Sequence, residues 1–234
     1  MTDLFNFWLF GVYPYIALTV LIIGSILRYE CAPYSWRAGS SQLLRRRQLI
    51  MGSILFHFGV LIVFFGHLVG MLTPIQVFHW IGIEPGTKQV MAIVVGGIAG
   101  VISLTGAIIL LHRRIADPRI RATTSFADLA ILILLSVQLA LGLLTIPVSM
   151  GHLDGGEMIK FMSWALGIFT LNSGAWTYLV DTHPLFKLHI FLGLTIFLLF
   201  PFTRLVHMLS APVYYLLRPG YQLVRTKKTL NPTT

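Results

Sequence analysis

The stretch LFHFGVLIVFFGHLVGMLTP, residues 55–74, is almost wholly apolar yet carries two histidines, His57 and His67. An ionisable side chain at membrane depth is costly and needs a partner, so each histidine marks a functional position. Ten residues of α-helix rise roughly 15 Å, which sets the two in different halves of a bilayer. One bound group could not use both. The rest of the chain has to supply a partner for each.

The composition agrees with a membrane setting. Of 234 residues, 56% are hydrophobic and 11% charged, and the mean hydropathy is +0.81. That leaves no room for a separate soluble domain, so residues 1–234 read as one integral membrane domain, all-α and polytopic. Five runs are long enough to cross roughly 30 Å of hydrocarbon as helices. They cover 4–27, 49–71, 89–111, 127–148 and 185–209, and a basic tail follows over 210–234. The first run is expected to stay as an anchor: Asp3 stands where a signal would have a basic n-region, and Arg28 follows the apolar stretch. Residues 158–180 tempt as a sixth span but are interrupted by Lys160, Asn172, Ser173 and Gly174. A sixth span would also carry the basic tail to the other side. The segment reads instead as an outer loop with a helix on or near the membrane surface.

The net charge of +9 could suggest nucleic acid, but its placement argues for a membrane orientation. Arg28, Arg37, Arg45, Arg46 and Arg47 follow the first span, Arg113, Arg114, Arg119 and Arg121 the third. Arg204, Arg218, Arg225, Lys227 and Lys228 crowd the end of the fifth and the tail. The opposite loops hold Asp3, Glu84, Asp154, Glu157 and Asp181 against Lys88, Lys160 and Lys187. The positive-inside rule then puts the N-terminus outside and the C-terminus in the cytoplasm. The basic loop 28–48, with Tyr29, Tyr34 and Trp36 interleaved, reads equally as a lipid-headgroup loop or as a docking surface for a cytoplasmic partner.

Cys31 is the one cysteine, which excludes an iron–sulfur cluster, a disulfide and a covalent C-x-x-C-H haem site. The fifth run supplies the missing partners, His189 and His207. Eighteen residues at 100° each are five whole turns, so in one continuous helix both face the same side. The second and fifth spans run in opposite directions. His57 and His207 therefore share the cytoplasmic half, and His67 and His189 the outer half. Neutral imidazole is the commonest protein ligand for iron, and a bundle clamping two bis-histidine b-type haems is the arrangement expected. A histidine proton relay in a transporter is the rival reading, but it calls for intramembrane carboxylates and broken repeats that are not found. The rises differ, roughly 15 Å on one helix and 27 Å on the other. Crossed helices, tilted haems or a kink at Pro201 must absorb that difference.

Other residues read more plainly. Gly52, Gly59 and Gly66 recur every seven residues, and Gly66 and Gly70 form a G-x-x-x-G. They either pack against a helix or leave space for a flat macrocycle. Gly96, Gly97 and Gly100 suggest a packing face, and Gln138 an interhelical hydrogen bond. His79, His112, His152 and His183 read as loop or helix-end residues. Lys88 begins the third span, where a cation opposes the helix dipole. It either snorkels to headgroups or donates to an oxygen that develops charge.

Several motifs then resemble the gamma subunit of membrane-bound respiratory nitrate reductase, a di-haem cytochrome b. They are Tyr13-Pro14-Tyr15-Ile16, WRAGSSQ at 36–42, the 55–74 stretch, PRIRATT at 118–124, LGLLTIP at 141–147, FPFTRLVH at 200–207 and YQLVR at 221–225. The resemblance implies oxidation of quinol, menaquinol or ubiquinol, near the outer face of a bacterial inner membrane. Electrons would pass to a cytoplasmic iron–sulfur subunit and a molybdenum catalytic subunit. It implies His57 and His207 as ligands of an inner haem and His67 and His189 of an outer one. Lys88 falls on a lysine associated with the quinol site, with Gly66 and Gly70 nearby, although the EPGTK segment around it departs locally. A di-haem quinol-oxidising subunit of another reductase, for example in sulfur metabolism, is the nearest alternative.

Overall fold

A computed structural model describes residues 2–36 and 44–210. The basic tail from 211 onward, the YQLVR motif and most of WRAGSSQ lie outside the described residues. Five helices are long and apolar enough to cross a membrane: α1 (Asp3–Cys31), α2 (Arg46–Leu72), α3 (Pro85–Ala116), α4 (Phe126–Met150), and a fifth within Pro184–Phe202. Among the described residues there is no strand.

The helix ends follow local chemistry. Pro85 opens α3 at a position where its missing N–H costs nothing. Ser125 caps α4, its Oγ accepting from the Asp128 amide at 3.1 Å. Asp117 caps the short helix Pro118–Thr123 through the amides of Arg119 (3.0 Å) and Ile120 (3.4 Å).

Residues 158–180 are not among the described helices long and apolar enough to cross a membrane. They hold a fourteen-residue helix, α5 (Gly156–Phe169), roughly 21 Å long. One face of it is buried in the bundle. Trp164, Ala165 and Ile168 pack with Phe10 and Ala17 of α1 and with Leu194. The sequence showed an apolar helix but not the cavity that receives it.

The fifth span also departs from the single helix expected over 185–209. The α-helix, α6 (Pro184–Leu199), stops before Pro201. A 3₁₀ turn covers Phe200–Phe202, Thr203 is extended (φ −117°, ψ −179°), and a second 3₁₀ run covers Arg204–Ser210. Proline has no N–H for the helical ladder. The five-turn argument therefore does not describe how His189 and His207 are related. The chain breaks at Pro201, the position read from the sequence as one place for a kink.

The helices pack in the order α2, α3, α4, α6, α1. The α2–α3 seam is the closest. A Cβ on Gly59 would lie 2.5 Å from the Ala99 carbonyl oxygen and 2.6 Å from the Ser103 nitrogen, and one on Gly52 3.0 Å from Ile109. Small residues are what let two backbones approach like this. Gly97 and Gly100 pack in the same way on Ile146 and Leu143 of α4. Helices α2 and α6, by contrast, are not a closely packed pair.

Candidate functional site

Across the space between α2 and α6 the four intramembrane histidines meet in two pairs. The ring centres of His57 and His207 are 6.2 Å apart, and those of His67 and His189 are 6.1 Å apart. These are the pairs expected from matched levels. An imidazole–metal bond of about 2.0 Å on each side, plus roughly 1.1 Å from nitrogen to ring centre, gives a separation of about 6 Å. The spacing fits one iron between each pair.

The ring nitrogens agree. His57 Nδ1 donates to the Ser53 carbonyl (2.8 Å), His67 Nδ1 to the Val63 carbonyl (2.8 Å) and His207 Nδ1 to the Arg204 carbonyl (2.5 Å). A histidine whose Nδ1–H is held this way keeps Nε2 for a metal. His189 differs. Its buried Nδ1 has no hydrogen-bond partner among the described residues, while Gln138 Nε2 lies 3.4 Å from its Nε2 and donates to its carbonyl at 3.1 Å. Gln138 thus makes the interhelical bond expected of it. Gly142 on α4 seats the same ring, since a Cβ there would come within 3.0 Å of it. Sequence reasoning missed Gly142, because a glycine's use depends on which ring lands against it.

The glycines of α2 divide. Gly52 and Gly59 are packing residues, whereas a Cβ on Gly66 or Gly70 would meet nothing within 4 Å. Beside His67 the helix therefore presents bare backbone with space in front of it. That cradle, the ring spacings and the three free Nε2 atoms fit haem.

Lys88 does not snorkel. It is 7% exposed, and its ammonium donates to the Gly70 carbonyl (2.5 Å) and to Met162 Sδ of α5 (2.7 Å), 3.9 Å from the centre of the Phe78 ring. Gly70 lies in the last turn of α2, where carbonyls lack helical donors and a cation is favoured. The cation that opposes the dipole of α3 complements that of α2. Lys88, Gly66, Gly70 and His67 are thus gathered at one end of the bundle.

The other histidines stay local. His112 receives Gln48 Nε2 at 3.2 Å, His152 Nδ1 donates to the Val148 carbonyl at 3.2 Å, and His183 caps α6 by accepting from Leu185. His79 lies 3.8 Å from Glu84. The basic residues at the opposite end are less free than their sequence suggested. Arg113 is buried and donates to the Leu44 carbonyl (2.6 Å), so it is not part of an exposed basic face. Arg45 pairs with Asp117 at 2.8 Å. Burial works to raise the Asp117 carboxyl, but the Arg119 and Ile120 amides and the Arg45 guanidinium outweigh it and hold it below the usual carboxylate range.

Fold and site together define an all-helical polytopic membrane protein with two facing histidine pairs between its spans. The family model described as nitrate reductase gamma subunit matches residues 6–227, and the chain belongs to that family, whose members are subunits of an enzyme complex. The respiratory nitrate reductase 1 gamma chain of Escherichia coli K12 is 51% identical, over 95% of this chain and 98% of its own length. The respiratory nitrate reductase 2 gamma chain of the same organism is 47% identical, over 97% and 100%. The nitrate reductase gamma chain of Bacillus subtilis 168 is 39% identical, over 90% and 94%.

Proposed function

We propose that the chain is the quinol-oxidising cytochrome b subunit of a respiratory nitrate reductase in a bacterial inner membrane. The observation that carries this reading is the two imidazole pairs, 6.2 Å and 6.1 Å apart, between helices not otherwise closely packed. His57 and His207 would hold an inner haem b, and His67 and His189 an outer one. Bound there, haem supplies one-electron carriers at two depths of the bilayer. The carbonyl bonds to Nδ1 fix three of the rings and their tautomers, and Gly66 and Gly70 keep bare backbone beside His67.

Quinol, menaquinol or ubiquinol, is apolar and reaches the bundle through lipid. It must lose two protons as it loses two electrons. Lys88 stands at the outer end beside Gly70, where its ammonium can donate to a quinol oxygen as that oxygen deprotonates. The Met162 thioether is a weak acceptor, and it is the contact a quinol oxygen would replace. Protons released outside and electrons delivered inside both add to the membrane potential. The names of the relatives support nitrate as the terminal acceptor, reduced on a cytoplasmic molybdenum subunit reached through an iron–sulfur subunit. With the N-terminus outside, the basic segments 28–48 and 113–121 and the tail would lie on the side of those partners, though the buried Arg113 itself would not meet them.

Purification from membranes tests the proposal. Reduced b-type absorption with two haems per chain, and co-purification of an iron–sulfur and a molybdenum protein, are expected. A preparation with no reduced b-type absorption overturns the haem reading. Co-purification with a different reductase overturns the acceptor.

A further inference from the structure

The break in the fifth span places His207 beyond the α-helix, in a 3₁₀ run. Thr203 is extended between two 3₁₀ turns, so the α-helical ladder is interrupted there and carbonyls at the break can take a donor from outside it. One side chain reaches both sides of the break. Arg28, near the end of α1, donates from Nη1 to the Pro201 carbonyl (2.6 Å) and to the Thr203 carbonyl (2.8 Å). Its other edge is pinned, with Nε donating to Ser35 Oγ (3.1 Å) and Nη2 to the Ser35 carbonyl (2.7 Å). Ser35 in turn donates to the Ala32 carbonyl at 2.7 Å. The planar guanidinium thus joins the turn after α1 to both sides of the break, which a single ammonium cannot do.

The surroundings act with it. A Cβ on Gly24 would lie 2.8 Å from Pro201 Cγ, so α1 abuts the proline directly. On the far side Arg204 Nε lies 3.7 Å from Asp128 of α4. Phe200, Leu205 and Val206 are buried with Ile131 and Ile196, and Trp36 packs on them. The carbonyl that receives His207 Nδ1 belongs to Arg204, the residue after Thr203. Whatever fixes Thr203 therefore fixes the tautomer and direction of the His207 ring.

We infer that Arg28 is the positioning residue for His207, setting the ring of the inner pair through the Pro201 and Thr203 carbonyls; this rests on the two-haem reading above. Arg28 reaches Ser35, Pro201 and Thr203 and acts on His207 through the backbone. Its effect falls on one haem and not on the other, because His189 stands on the regular part of α6, held by Gln138 and Gly142.

The test uses the whole complex in membranes with Arg28→Ala and Arg28→Lys. It reads haem per protein, a redox titration of each haem, and the low-spin electron paramagnetic resonance signal of each. Arg28→Ala is expected to lose about half of the haem, all from the inner site, since outer-shell losses weaken metal binding tenfold or more. Arg28→Lys keeps the charge and both haems, and is expected to shift the inner signal and its midpoint potential while the outer signal stays put. Two variants with both signals unchanged overturn the inference, and so does an equal loss of both, which marks a merely structural role. A wild type with no b-type haem overturns the two-haem reading itself. A wild type with two haems beside unaltered variants overturns only the role of Arg28.

Discussion

The Trp164 indole N–H donates to the Phe10 carbonyl at 2.9 Å, buried between α5 and α1. Phe10 lies in a π-helical turn, Trp8–Val12, and Pro14, four residues on, has no N–H to give that carbonyl. The proline opens an acceptor in an apolar bundle, and Trp164 of α5 reaches in to fill it. Trp164→Phe keeps the ring bulk and strands the carbonyl. It should lower stability by about 1–3 kcal/mol, read as a lower melting temperature of the detergent-solubilised protein. An unchanged melt means that the bond contributes nothing.

The histidine pairs predict matched losses. His57→Ala and His207→Ala should remove the same b-type haem signal, and His67→Ala and His189→Ala the other, because one imidazole holds a non-covalent haem poorly. The reading is a low-temperature difference spectrum of each variant. A His57→Ala spectrum that copies His189→Ala would contradict the pairing.

Two glycines on one helix should behave oppositely. At Gly59 a methyl group collides with backbone on α3, so Gly59→Ala should destabilise the folded chain, by about 1–3 kcal/mol as overpacked cores do. At Gly66 a methyl group meets nothing within 4 Å. Gly66→Ala should therefore leave the melt intact and show itself in haem content or in quinol affinity. Equal effects of the two on stability would remove the basis for a cradle beside His67.

Lys88→Ala should slow quinol-dependent haem reduction by about tenfold or more, the range for losing a charged hydrogen bond, with both haem spectra kept. Because Lys88 also caps α2 through the Gly70 carbonyl, Lys88→Arg serves as a control that restores the cation there. Stopped-flow reduction by a soluble quinol reads both variants. Normal rates in Lys88→Ala would move the site away from this residue.

Asp117 couples one corner to pH. Its folded carboxyl titrates below its ordinary value, so its stabilising effect is fully present above that ordinary value and is lost as pH falls through the lower folded one. Amide exchange across Pro118–Thr123 should accelerate on acidification through that window, and Asp117→Asn should exchange faster already at neutral pH. A pH-independent exchange rate in the wild type would show that the cap and the Arg45 pair do not hold this helix.

The sequence alone was enough for the all-helical class, for five helices long and apolar enough to cross a membrane, and for His57 facing His207 and His67 facing His189. Those follow from apolar run length, from the rise per residue and from which loops carry arginine, all of them local or additive along the chain. Tertiary structure decided the rest. The α-helix of the fifth span ends at Leu199, and the chain beyond is tied to Arg28, 173 residues earlier in the chain at its Pro201 contact. Lys88 finds its counter-dipole on a neighbouring helix and not on its own, and Gly66 differs from Gly59 only in what stands opposite. Hydropathy marks a residue as able to be buried; which carbonyl, ring or backbone it is buried against is a property of the assembled bundle.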